Sequence, residues 1–408
     1  MLTILAGDLA RADEAGVTDP SRPKNVILLW LAGGPSQLET FDPHAGSMIG
    51  GDVQTIDTSV KGLGIADTLP RVAQQMHLTS LVRSVTGKEG DHQRAVYNMR
   101  SGYRPDPTLK HPSIGAVVCH VDPRGGDLPR HVSILPGNDA GRGGYLGAKF
   151  DAFKIDNPLG RVPDVRASVD DDRLDRRLRD LRFVEDNFRH DRLKQLESNR
   201  TLHTTATEAA LRMMSSEQLD AFDVSTEPQA ERDAFGDTAF GRGCLAASRL
   251  IEVGTRCVEV TLSGWDSHIT NHSLQSSACE SLDPALSALL VRLQQRDLLE
   301  STLVVCGGEF GRTPTINAAE GRDHWPHGFS TLLAGCGIRR GGVYGATARE
   351  PKLDRKSPLQ DVENPVTVAD LHSTILTALS IDHEEELDTP VGRPIKRSEG
   401  KPIPQVLA

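Results

Sequence analysis

The chain has 408 residues, of which 38% are hydrophobic and 25% charged, and a formal net charge of −10. This is a globular composition with material for a substantial core. It holds no long basic block, which disfavours nucleic acid as a partner because neutralising phosphates takes clustered Lys and Arg, and no run approaches the ~20 apolar residues of a membrane-spanning helix.

The opening MLTILAGDLARADEA has an apolar run too short for a signal h-region and no basic segment before it. Residues 1–23 therefore read as an N-terminal segment: the remnant of an export signal or, taken literally, the start of a chain without one. From there to residue 396 the pattern is that of one α/β domain. NVILLWLAGG predicts a buried strand that breaks at glycines, and HLTSLVRSV a second strand. HQRAVYNMRSG predicts a helix stopped at Gly102, SIGAVVCHV another helix, and HVSILPG a strand.

Between about residues 165 and 240 the chain changes character. DDDRLDRRLRDLRFVEDNFRHDRLKQLESN places Leu174, Leu178, Leu181 and Val184 at steps of three or four, and ATEAALRMMSSEQLDAF continues in the same manner. This is read as a charged helical insertion with a solvated face, in preference to a partner-binding coiled coil. From residue 241 the rhythm is again helix and strand: CLAASRLIEVG then RCVEVTL, SLDPALSALLVRLQQRDLL then STLVVCGG, and STLLAGCG then VADLHSTILTALS. Residues 397–408 read as a terminal tail. Such alternation predicts a mostly parallel sheet with helices on both faces. The six cysteines form no C-x-x-C pair, and Cys119, Cys257 and Cys306 sit in apolar runs as buried thiols. A structural zinc site or a disulfide framework is not expected.

Ligands of such sheets bind beyond the carboxyl ends of the strands, which selects a few residues. Ser36, Glu39 and Asp42 follow the first strand, and Asp91 and His92 precede the first helix. Asp266, His268 and His272 lie in WDSHITNH, Glu309 and Arg312 in EFGRTP, and Asp323, His324 and His327 in GRDHWPHGFS. Asp-x-His after a strand suits a divalent metal, although Asp266 or Ser267 could instead cap a helix. A carboxylate buried at Glu309 needs a cation, either a metal or Arg312. Ser36 is a candidate nucleophile or a turn former, and its surroundings are not the G-x-S-x-G elbow. Neither a dinucleotide fingerprint nor a P-loop is present.

Taken in order, NVILLWLAGGPSQLETFDP, GWDSH, GGEFGRTPTIN, GRDHWPHGFSTLLAGCGIRRGGVYGAT and VTVADLHSTILTAL resemble the DUF1501 family, bacterial proteins abundant in planctomycetes and grouped with the alkaline phosphatase and sulfatase superfamily. The resemblance implies an alkaline phosphatase/sulfatase-like three-layer sandwich. It aligns Glu309 with a superfamily metal Asp, Phe310 with a metal His, and Arg94, Gly102 and Pro105 with the helix that carries the nucleophile. Gly90, Asp91, His92 and Gln93 occupy the nucleophile's stretch, where no Ser, Thr or Cys stands, and Ala32 and Gly33 replace the first metal Asp.

The expectation is thus a metal-dependent hydrolase of sulfate or phosphate esters. Asp266, His268, Glu309, Asp323, His324 and His327 would hold one or two divalent cations (Zn, Mn, Ca or Mg, with nitrogen ligands favouring a transition metal). His92 and His324 would move protons, Ser36 is the candidate nucleophile, and Arg94 and Arg312 would steady the anionic group. The substrate would be an anionic small-molecule or polysaccharide ester, and the location periplasmic or secreted by resemblance. The alternative is a non-catalytic binding protein on a degenerate scaffold of the same kind.

Overall fold

Strand β1 (Asn25–Ala32) is apolar from Val26 onward because it lies mid-sheet and is buried on both faces. Its alternating side chains divide between two cores. Ile27, Leu29 and Leu31 enter one, Val26 and Trp30 the other. The computed structural model describes residues 24–408 apart from 123–125, 159–161, 163–164, 166, 193–201 and 355, so the N-terminal segment read as an export remnant lies outside the described residues.

Along the chain follow β2 (Thr79–Thr86), α1 (His92–Ser101), α2 (Ile114–Val121), β3 (His131–Ile134) and β4 (Phe153–Ile155). The helices α3 (Asp171–Arg192), α4 (Leu202–Met214) and α5 (Ala239–Glu252) lead to β5 (Cys257–Ser263), α6 (Asn271–Gln295) and β6 (Thr302–Gly307). Last come β7 (Gly311–Arg312), β8 (His324–Trp325), β9 (Phe329–Gly335), β10 (Gly342–Tyr344), β11 (Val366–Thr367) and α7 (Val368–Ala378). The main sheet has nine strands in the order β10-β2-β9-β6-β1-β5-β3-β4, with β11 beside β2.

Helices cover both faces, as the alternation predicted. Leu245 and Leu250 of α5 and Leu282, Leu286 and Leu289 of α6 fill one core. Ile114 and Val117 of α2 and Leu371 and Ile375 of α7 fill the other. Pairing is parallel between β1 and both its neighbours, β5 and β6. Strand β9 is the exception, antiparallel to both β2 and β6. Strands β1, β2, β5 and β6 therefore end at one sheet edge, and β9 begins there. The loop before β9 reaches the edge where the others deliver their carboxyl ends.

Two local expectations differ from the structure. Helix α6 starts after Thr270, not at Asp266 or Ser267, so Asp266 and His268 stand in the loop ahead of it. Residues 397–408 are no free tail: Ile403 and Val406 are buried in the second core, and Arg339 donates its backbone N–H to the Val406 carbonyl. Cys119 lies on the helix predicted from SIGAVVCHV. All six cysteines are free and buried. In α3, Phe183 and Val184 are exposed, in keeping with a helix on the surface. Among the described residues, no helix is long and apolar enough to cross a membrane.

Candidate metal centre

At that edge three imidazoles converge on one carboxylate. His92 opens α1, Asp266 and His268 follow β5, and His324 sits on β8. His92 Nε2 lies 3.4 Å from Asp266 Oδ2, and His268 Nε2 and His324 Nε2 lie 3.2 and 3.6 Å from Asp266 Oδ1. Ligand atoms of His92, Asp266 and His324 all fall within 4.8 Å of one another.

The outward nitrogens fix the chemistry of the inward ones. His92 Nδ1 is 2.7 Å from Glu309 Oε1, His268 Nδ1 is 2.9 Å from Asp323 Oδ1, and His324 Nδ1 is 2.7 Å from the Gly90 carbonyl. Each partner is an acceptor only, so each Nδ1 carries a proton and donates it. In the neutral rings, every Nε2 then presents a lone pair to the centre. His268 Nε2 and His324 Nε2 face each other at 3.0 Å. Two lone pairs at that distance repel unless a cation lies between them. Two nitrogens bound tetrahedrally to zinc are about 3.3 Å apart. Buried His92 Nε2 and Glu309 Oε2 have no hydrogen-bond partner among the described residues. Imidazoles held from behind by carboxylates or carbonyls are the usual outer support of metal-bound histidine.

Neighbouring groups set the charges. The Glu309 hydrogen bond raises the pKa of His92 against the opposing effect of burial, with further help from Asp266. Burial lowers that of His324, keeping it neutral. Burial pulls Asp266 upward, but the Arg312 guanidinium, with His92 and His268 beside it, outweighs it and holds the carboxyl below its ordinary value. The His268 hydrogen bond likewise lowers Asp323.

Tight backbone packing holds the loops together. Gly33, with φ +116°, also donates its N–H to Glu309 Oε1 at 2.9 Å. A Cβ there would fall 2.5 Å from the backbone nitrogen of Asp266, so only glycine lets the first loop approach the third this closely. The Phe310 ring, fully buried, lies 4.9 Å from the His92 ring and 4.4 Å from that of His324.

The other expected residues are placed differently. Glu309 and Asp323 stand behind His92 and His268, as their hydrogen-bond acceptors. Arg312 is fully buried and spends its donors on the Gly33, Gly34 and Arg322 carbonyls and on Asp266 at 2.7 Å, so it ties loops together and does not face a substrate. Arg94 binds Glu89, which Arg104 also holds. Ser36 is fully buried and donates to Glu39, which pairs with the buried Arg322 at 3.1 Å, so no nucleophilic hydroxyl is presented. Asp42 accepts from Thr347. His327 turns away, with its ring edge-on to Trp325. Sequence reasoning missed the Gly90 carbonyl, which has no sequence signal, and Asn317. The Asn317 amide donates to the His268 carbonyl at 3.0 Å; its place in a turn-forming stretch was the available hint.

A family pattern described as "Protein of unknown function (DUF1501)" matches residues 23–407. No curated protein matches. Among solved structures, a lipoteichoic acid synthase from Listeria monocytogenes is similar at 9% identity and TM-score 0.40, covering 92% of this chain and 78% of that one. A protein in the alkaline phosphatase superfamily from Vibrio parahaemolyticus has 12% identity and TM-score 0.39, with 98% and 78% covered. A sulfatase from a Pseudoalteromonas species has 12% identity and TM-score 0.39, with 93% and 70% covered.

Proposed function

The chain belongs to the DUF1501 family, and from that premise we propose that it is a metal-dependent hydrolase of anionic esters, sulfate or phosphate, with His92, Asp266, His268 and His324 as ligands of one divalent cation. The observation that carries the proposal is the set of three imidazoles anchored through Nδ1 with their Nε2 atoms turned to Asp266. The nitrogen-rich donor set suits zinc or another transition metal better than calcium or magnesium. A divalent cation held there would act as a Lewis acid, polarising an ester oxygen and lowering the pKa of water.

The residues supply the rest. Three neutral imidazoles and one carboxylate leave the divalent centre positive, which favours a substrate oxyanion. Asp266 and His268 have side chains 50% and 46% exposed, so the ligand set opens to solvent on that side. Glu309 holds His92 in orientation and shares its Nδ1 proton. Phe310 packs the inner side and keeps water from the back of the rings. In this reading Glu309 and Asp323 orient ligands and are not ligands themselves, and His327, Arg94, Arg312 and Ser36 lie outside the reacting centre.

Purified protein loaded with zinc or manganese should turn over an aryl sulfate or aryl phosphate, lose that turnover to chelator and regain it with metal. His324→Ala should reduce it at least about 100-fold with the fold intact by circular dichroism. Turnover indifferent to chelator would contradict the proposal. A second reading, ligand binding without cleavage, is favoured by the burial of Ser36. Metal-loaded protein that retains esters and cleaves none would support it.

A further inference from the structure

Of the three imidazoles at the centre, His268 is held least by packing. Its side chain is 46% exposed, against 33% for His92 and 22% for His324. The buried Phe310 ring supports His92 and His324 at 4.9 and 4.4 Å. Among the described residues, the His268 ring stacks near that of His324 alone. Its place therefore depends on hydrogen bonds, and those that reach it from behind come from the segment 317–323. Thr270 and Asn271 donate their backbone N–H groups to the Ala319 and Glu320 carbonyls at 3.0 and 2.8 Å, and Arg322 donates to the Ser267 carbonyl at 3.0 Å. The two segments run antiparallel at this point, with Ile269 opposite Glu320. A Cβ at Gly321 would collide with the His268 carbonyl, so glycine is what lets them lie so close.

One side chain links this segment to the ligand at two points. Asn317 Oδ1 accepts the backbone N–H groups of Ala319 and Gly321, both at 2.9 Å, and so closes the turn. With the oxygen spent there, Nδ2 must face acceptors, which fixes the orientation of the amide. Nδ2 donates to the His268 carbonyl at 3.0 Å and to Asp323 Oδ1 at 3.4 Å. The same Asp323 oxygen accepts from His268 Nδ1 at 2.9 Å. A single amide thus grips both the main chain of His268 and the carboxylate that orients its ring. The Asp323 side chain is 59% exposed, so little packing would hold it in place of that amide. Its main chain is fixed separately: Asp323 N–H donates to Thr313 Oγ1 at 3.0 Å, and Thr313 N–H to the Asp323 carbonyl at 2.9 Å.

We propose that Asn317 is a positioning residue of the metal centre, one that sets where His268 Nε2 points without touching the cation itself. The inference rests on the metal-centre reading above. Asn317→Asp tests it, because the carboxylate keeps both bonds that close the turn but turns an acceptor toward the His268 carbonyl and Asp323. The added negative charge would by itself draw a cation more strongly, so charge and positioning predict opposite results. Cobalt(II) is the probe, with affinity read by competition against a chromophoric chelator and the ligand set by visible absorption. Asn317→Asp should bind cobalt at least about 10-fold more weakly than the wild type. Its absorption should match that of His268→Ala, and the metal-free variant should keep the wild-type urea midpoint. Should Asn317→Asp not fold, Asn317→Ser, whose hydroxyl can accept from the turn but cannot span to both acceptors, takes its place with the same expected losses. Equal or tighter binding, or weaker binding with the wild-type absorption, would overturn the proposal. If the wild type takes up no cobalt, the metal-centre reading fails, and the ¹⁵N resonances of His268 test the positioning by itself. An Nδ1-protonated ring in the wild type and a mixture of tautomers in Asn317→Asp would support it, and the same tautomer in both would overturn it.

Discussion

At His92 one hydrogen bond decides what the imidazole offers. Glu309 accepts its Nδ1–H at 2.7 Å from 217 residues away. The sequence marks Glu309 as a buried carboxylate in need of a cation, but spacing cannot say that the cation side is an imidazole. Glu309→Gln keeps the shape and removes the charge. It should weaken metal binding roughly 10- to 100-fold, the usual effect of losing an outer partner, measured by competition with a chromophoric chelator. Unchanged affinity would mean that His92 is not held in this way. The Asp323-His324-Trp325-Pro326-His327 run shows the same limit. Counting imidazoles cannot separate His324, which the pairing of β8 with β7 turns toward Asp266, from His327, which lies beyond Pro326 against Trp325.

A different histidine, away from the site, bears on acid stability. His372 is buried and donates its Nε2–H to the Met99 carbonyl at 2.7 Å. Burial pushes its pKa from 6.5 down to about 4. Between those values the unfolded chain takes up a proton that the folded chain refuses. Its stabilising effect is full above pH 6.5 and is lost as pH falls toward 4, by up to about 3 kcal/mol. His372→Gln, which can still donate to Met99, should flatten the fall of unfolding free energy between pH 6.5 and 4. An unchanged slope would place the acid sensitivity elsewhere.

At the scale of elements, the site exists because β9 runs against its neighbours. The alternation of helix and strand made a mostly parallel sheet legible, but not this reversal, because direction depends on pairing and not on local pattern. The reversal brings the 313–328 loop to the carboxyl ends of β1, β5 and β6. Arg312 fastens these loops, and its burial is equally hidden in sequence, where an arginine after Glu-Phe-Gly suggests an anion site. Arg312→Met leaves three carbonyls without their donor and Asp266 without its guanidinium partner. It should lower the unfolding free energy by about 3 kcal/mol or more, read from urea denaturation. A variant as stable as the wild type, but weaker in anion binding, would return Arg312 to the substrate. Glu259 is a second concealed network. On β5 it accepts from Arg100, His131, Ser133 and the Gly141 N–H. Despite the cost of burial, these partners, Arg100 foremost, hold its carboxyl well below the ordinary range. A lone Glu in an apolar strand gives no sign of partners that come from α1, β3 and a loop.

For the whole molecule, two cores on either side of one sheet follow from apolar strands flanked by amphipathic helices, and this much could be read from the sequence. Burial of Ile403 and Val406 could not, because PIPQVLA carries no periodicity. The six free cysteines all lie inside these layers. Burial raises the thiol pKa of Cys119 to about 12 and of Cys279 to about 12, so thiolate is scarce at neutral pH. Native protein should give almost no reaction with a disulfide reagent in minutes, and all six thiols should appear on denaturation. Rapid reaction in the native state would contradict the layered burial.

The central claim is that three imidazoles and Asp266 form a metal centre. Elemental analysis of the purified protein after dialysis against zinc or manganese tests it most directly, with the wild type beside a His92→Ala/His324→Ala variant shown to be folded. The account predicts about one ion per wild-type chain and less than about a tenth of that in the variant. A wild type that takes up no metal, or a variant that holds as much as the wild type, would contradict it.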